Sequence, residues 1–201
     1  LVFGAEASGP DPIEHLRVLL SVPGSDTRTN GRLDITPGTE VSGVYVLRTR
    51  SGGQYVPPGT PISYVYELRD SAGRIVRTTA KEVIYHDSRF DWLQVSEGLV
   101  TVYYYGGSLA EFVKKRAEIV LDAAVQTIEN MGPVLGIDPQ APIRLVSYNN
   151  YRDMSGALPF RSQAVREDLQ TQGMAWPDER VLLVLGDEGS ITGITSHELT
   201  H

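Results

Sequence analysis

Alternation of apolar and polar residues organises the first hundred positions. Ile62, Tyr64, Tyr66 and Leu68 alternate with Ser63, Val65, Glu67 and Arg69, the period of two expected of a strand with unlike faces. Asp70-Ser71-Ala72-Gly73 follows with turn chemistry, Asp opening the turn and Gly free to take positive φ. Residues 75–85 then read as the return strand of a hairpin. Apolar-rich runs at 16–22, closed by Pro23-Gly24, and at 41–49, closed by Ser51-Gly52-Gly53, predict two more strands. Residues 99–105 predict another, in which Tyr103-Tyr104-Tyr105 is a packing run. Short strands separated by Gly/Pro turns predict an antiparallel β-sandwich over residues 1–106.

The period changes at Gly106-Gly107. Leu109, Val113, Ala117, Val120, Ala124, Ile128 and Met131 recur at spacings of three and four, one apolar stripe of a long helix that must face a core. Ser108 with Glu111 predicts a capping box at its start, and Gly132-Pro133 predicts its end. Ile143–Tyr148 reads as a strand. A helix is expected near 162–170, with Gly156 and Pro159 blurring its start. Val181–Leu185 is a continuous Val/Leu run, the signature of a strand buried on both faces. Gly186-Asp187-Glu188-Gly189 predicts a turn, and a short helix starts at Ser190 or Ile191. The expected fold is therefore α+β: a β-sandwich over 1–106, then a mixed α/β domain over 107–201.

Composition narrows the chemistry. With 41% hydrophobic and 21% charged residues among 201, the chain can bury a substantial core. Eighteen basic against 25 acidic residues give a net charge of −7, which argues against nucleic acid as a partner. No apolar run is long enough to span a bilayer. The absence of cysteine excludes a disulfide scaffold, a thiol nucleophile and thiolate metal ligands. Histidine chemistry is left standing, and two of the four histidines fall in the last five residues, His197-Glu198-Leu199-Thr200-His201.

Residues four apart on a helix share a face, so His197 and His201 can reach one ion. Imidazole nitrogen is a preferred ligand of zinc, and Glu198, turned to one side of the pair, is placed to take a proton from a bound water. The flanking Ile194, Thr195, Ser196, Leu199 and Thr200 are uncharged, as the wall of a buried site requires. His15 and His86 stand beside Glu14 and Asp87 in the strand-rich half and read as surface or hydrogen-bonded histidines. Asp178-Glu179 and Asp187-Glu188 read as solvated acidic pairs at the ends of the Val181–Leu185 strand, short of the oxygen ligands calcium needs.

The run Ser196-His197-Glu198-Leu199-Thr200-His201, preceded by Val181–Leu185 and the long helix, resembles the zincin metallopeptidases and more closely the bacterial peptidase MA-like group of thermolysin-type gluzincins. The resemblance implies a long backing helix behind a small mixed sheet, with an edge strand near 175–185 that pairs with substrate backbone. It implies Zn2+ held by His197 and His201, Glu198 as general base, and a protein or peptide substrate. It further implies a third ligand and an oxyanion-stabilising Tyr or His downstream of the motif. The expectation is thus the N-terminal part of a secreted or cell-surface zinc endopeptidase, inactive and weak in zinc binding as the 201-residue stretch alone. The alternative is an extracellular binding module that carries the motif as a vestige.

Overall fold

A computed structural model describes residues 1–24, 28–50, 55–136, 138–159, 172–186 and 189–201. The helix expected at 162–170 and the turn through Asp187 and Glu188 lie outside the described residues. The chain divides into two compact units, Leu1–Tyr55 with Pro61–Tyr85, and Val56–Thr60 with His86–His201. Two sheets and three α-helices among the described residues make it an α+β chain.

The first unit is a six-stranded sheet built on one long strand, β1 (Val2–Ser21). The first part of β1 pairs antiparallel with β3 (Gly38–Val46), and its last part lies between β2 (Thr29–Arg32) and β4 (Pro61–Asp70). The Phe3 ring lies 5.3 Å from the ring of Tyr64, and Tyr64 is the register partner of Leu20. A straight strand would hold residues 3 and 20 more than about 50 Å apart at about 3.3 Å per residue. β1 therefore doubles back. The bend falls where its register shifts, between Ser8 and His15, a stretch in which Pro10 and Pro12 offer no N–H to a ladder. Leu16, Val18, Leu20 and Ile62 are buried on its inner face.

The hairpin read from the sequence forms at Asp70–Arg74. The Asp70 carboxylate accepts from the Arg74 N–H (2.9 Å), and Gly73 takes φ +81°. Its return side is two strands rather than one, β5 (Ile75–Arg77) and β6 (Lys81–Ile84). Register runs Glu67↔Arg77 and then Tyr64↔Lys81, so one extra residue is accommodated between them. The Thr78 hydroxyl accepts from the Tyr66 N–H (3.1 Å) there.

The second unit is a five-stranded mixed sheet, in the order β10-β11-β9-β8-β7. β8 (Val100–Tyr104), β9 (Ile143–Tyr148) and β11 (Val181–Leu185) run parallel; β7 (Leu93–Glu97) and β10 (Gly173–Trp176) are its antiparallel edges. The compact units thus change over at Tyr85/His86, earlier than the Gly106 expected from the change of period. The strand at 99–105, expected in the first half, pairs with β9, and the parallel pairing needs α1 (Ala110–Leu135) as its crossover.

Side-chain alternation assigns the two faces of this sheet. Val100, Val102, Tyr104, Leu145, Leu182 and Val184 pack with Val113, Ala117, Val120 and Ala124 of α1. The opposite face carries Tyr103, Val146, Tyr148, Val181 and Leu183, all buried, and an aromatic layer covers part of it. Phe90 stacks on Tyr105 at 4.0 Å, and Trp92 donates its indole N–H to the Asp87 carbonyl (2.8 Å). The Asp87 carboxylate accepts from Arg89 Nε (2.9 Å) and from the Tyr148 hydroxyl (3.2 Å). The tyrosine run at 103–105 is buried, as its reading as a packing run requires.

Helix α1 departs from expectation at both ends. A 3-10 turn, Gly107–Leu109, precedes it, and its N-terminal residue makes no side-chain cap bond, so the Ser108–Glu111 box does not form. Gly132 and Pro133 lie inside its last turns. Pro133 interrupts one backbone bond, but the helix stops only at Gly136, whose φ of +68° lets its N–H bond the Gly132 carbonyl. The stripe ends are exposed at Leu109 and Met131; only its middle is core. A second, unexpected helix, α2 (Tyr151–Ala157), is capped by Asn150, whose side chain accepts from the Asp153 N–H (2.9 Å).

Leu145→Ala should lower stability in denaturant titration by about 2–5 kcal/mol, because Leu145 is fully buried between sheet and α1; Phe112→Ala, exposed on the same helix, should change it by less than about 0.5 kcal/mol. In the first unit, hydrogen bonds from Arg77 and Arg17, the former the stronger influence, hold Glu67 below the usual carboxylate range against the effect of its burial. Its stabilisation is present above the unfolded carboxylate value of about 4.3 and is lost as pH falls through the lower folded value. Denaturation midpoints of the wild type and Glu67→Gln should therefore differ most above about pH 5 and converge on acidification.

Candidate metal centre

The motif stands on α3 (Ile191–Leu199), the helix that follows β11. Ile194 is buried, and Ile191 and Leu199 pack beside it against the α1 face of the sheet. No side chain caps the helix at Ser190, so tertiary contacts hold it. Chief among the polar ones is Ser196 Oγ, 2.7 Å from Thr127 Oγ1 of α1. Thr127 spends its own proton on the Ala123 carbonyl (2.7 Å), which makes Ser196 the donor between the two. The residue before His197 is thereby tied to the backing helix.

The two imidazoles meet. His197 Nε2 and His201 Nε2 are 3.3 Å apart, with the rings at 87°. Two nitrogens at about 2.05 Å from a tetrahedral zinc are about 3.3–3.4 Å from each other, so the donor spacing fits one ion. Both rings are exposed, and His201 lies just past the helical end, where Thr200 bonds back to the His197 carbonyl through its N–H (3.2 Å) and hydroxyl (2.7 Å).

Glu198 turns a different way. It makes no hydrogen bond or ion pair among the described residues, and it lies over Gly173 of the edge strand β10. A Cβ at position 173 would stand 2.5 Å from Glu198 Cγ and 3.0 Å from Oε1. The missing side chain is what gives the carboxylate its place. Glu198 and His201 also border an apolar cleft of about 370 Å³ formed by Ile143, Ala175, Trp176, Val181 and Leu199. His197 borders a separate cleft against α1, with Thr127 and Met131.

Three of the other sequence candidates stand on different elements. His15 faces Arg69 in the first unit. His86 stacks with Trp92 and meets Tyr103 edge-on, and burial pushes its pKa down. Asp178 and Glu179 occupy the turn between β10 and β11, where burial raises the Glu179 pKa. Among the described residues no three histidine or carboxylate side chains are grouped to hold an ion. The edge strand expected near 175–185 is only partly that: β11 is interior, and among the described residues the sheet ends on β10. Gly-Met-Ala-Trp before Pro177 was the signal, a short strand joined to β11 through a turn in which Arg180 takes φ +57°. No family model matches the chain, and no curated protein matches it significantly.

Gly173→Ala should displace the Glu198 carboxylate while leaving overall stability within about 0.5 kcal/mol, since Glu198 is half-buried and free to swing aside. Carboxyl chemical shifts in selectively labelled protein report it; an unmoved Glu198 resonance would remove Gly173 from the site.

Proposed function

We propose that the second unit belongs to a zinc-dependent metalloendopeptidase resembling the bacterial peptidase MA-like gluzincins, acting outside the cytoplasm on protein or peptide substrates. The 3.3 Å between His197 Nε2 and His201 Nε2 carries this reading, because it is the separation that two ligands of one tetrahedral zinc require. The zincin-like arrangement is also supported by a mixed sheet with an antiparallel edge strand, a long helix on one face, and the motif helix beside that helix, packed on it and on β10 and β11.

In this reading His197 and His201 hold Zn2+, and a third protein ligand comes from a helix downstream of the motif. Bound there, zinc would acidify a water and polarise the scissile carbonyl. Glu198, uncommitted to any partner among the described residues, takes the proton of the attacking water and passes it to the leaving amine. The outer edge of β10, unpaired among the described residues, offers backbone groups to an extended substrate. The apolar cleft beside Glu198 accepts one substrate side chain.

The test is a chain extended at least one helix past His201, loaded with zinc and assayed on a casein-type substrate. Glu198→Gln should retain zinc and lose at least about 100-fold in kcat, the scale of a lost general base. In the 201-residue chain zinc should bind weakly, and His197→Ala should weaken it further. Equal activity with and without Glu198 would sink the mechanism. A tight 1:1 zinc site in the 201-residue chain would sink the assignment of a downstream ligand. A folded extended chain that neither binds zinc nor cleaves would favour the binding-module alternative.

A further inference from the structure

The outer face of the first unit carries a row of charge that pairing alone reveals. Arg32 of β2 stands opposite Arg17 of β1, Arg17 opposite Glu67 of β4, and Glu67 opposite Arg77 of β5. Directly opposed residues share a face, and like charges so placed repel. Glu67, only 3% exposed, accepts from Arg17 Nε and Arg77 Nε at 2.6 Å each and so answers those two cations. In the neighbouring row His15 faces Arg69. Arg32 and Arg69 are exposed and make no ion pair or hydrogen bond among the described residues. They border a cleft of about 400 Å³ with His15, Arg17, Asn30 and Glu67. Two planar guanidinium groups without partners among the described residues, an amide, an imidazole and the already paired Glu67 carboxylate line one concave surface, in a chain whose overall charge is negative.

We propose that this cleft binds an oxyanion group, a phosphate or carboxylate, between Arg32 and Arg69. Arginine presents paired N–H donors that match the oxygens of either anion. Asn30 adds an amide donor, and Arg17, already turned to Glu67, adds positive potential at the cleft floor. The site lies wholly in the first unit and does not depend on the metal reading of the second.

The test uses the whole 201-residue chain at low ionic strength, titrated separately by calorimetry and backbone NMR with inorganic phosphate and with citrate. Saturable binding of either probe is expected, with shifts centred on residues 15–17, 30–32 and 67–69, and the tighter probe identifies the anion class. Arg32→Ala and Arg69→Ala should each weaken binding by about tenfold, the effect of losing one charge-assisted contact, and added salt should weaken it further. Arg116→Ala, on α1 in the other unit, should leave affinity unchanged. Both cleft arginines are exposed, so melting curves should confirm folded variants. Absence of saturable binding by both probes would overturn the proposal. So would affinity that survives the double Arg32→Ala/Arg69→Ala variant, or shifts centred elsewhere.

Discussion

Parallel pairing of β9 with both β8 and β11 is the constraint on which the second unit depends. A parallel pair cannot be closed by a hairpin; the chain must leave the sheet, cross a face and return. Between β8 and β9 that crossing is α1, and its buried residues Val113, Ala117, Val120 and Ala124 cover one face of the strands it joins. The same helix then presents Thr127 to Ser196. The element that makes the sheet possible is therefore also the element that anchors the motif helix. Interior strands of such a sheet need cover on both sides. The opposite face obtains part of its cover from residues 86–92, whose Asp87–Arg89 pair is bonded to Tyr148 inside the aromatic layer. Burial alone would raise the Asp87 pKa, yet the Arg89 hydrogen bond keeps it below the ordinary range, so this charge is settled rather than reactive.

What could be read along the chain is what depends on local pattern. Ile143–Tyr148 and Val181–Leu185 were legible because each is a dense apolar run, and the final helix because it follows a Gly-bounded turn and carries the histidines at a helical spacing. The turn at Asp70–Gly73 was legible because its chemistry lies within four residues. What was hidden depends on distant partners. The strand at 99–105 looks like any strand after a β-rich stretch, and only the long helix behind it, read as a crossover, would have moved it into the second sheet. Gly132-Pro133 carries a stop signal, but a proline that removes a single bond near a helix end is tolerated when a residue such as Gly136 can terminate the helix just beyond. The capping box at Ser108 lost to a 3-10 turn. Of the site, the two histidines and Glu198 were legible as a spacing, while Gly173 was not, since its role is to be absent where Glu198 lies.

The charge of the chain shows the same division between local and long-range information. A net charge of −7 argues against a nucleic-acid partner for the whole, but it says nothing about any one face. Arg17, Arg32, Glu67 and Arg77 are scattered over sixty positions, and no window of sequence contains them all. Register across four strands assembles them into one row. A buried carboxylate in that row is stable because two guanidinium groups hold it, and two cations suffice for its two oxygens. The further arginines on the face are then in excess of what folding requires.

The two units thus solve opposite electrostatic problems. On the β2-β1-β4-β5 face of the first, Arg17, Arg32, Arg69 and Arg77 outnumber Glu67, and three of them border a cleft with His15 and Asn30. In the second, the Nε2 atoms of two imidazoles stand 3.3 Å apart, and the Glu198 carboxylate lies over Gly173 of β10. The fold fixes the motif helix through the Thr127–Ser196 bond and the burial of Ile194, while both imidazole rings stay exposed.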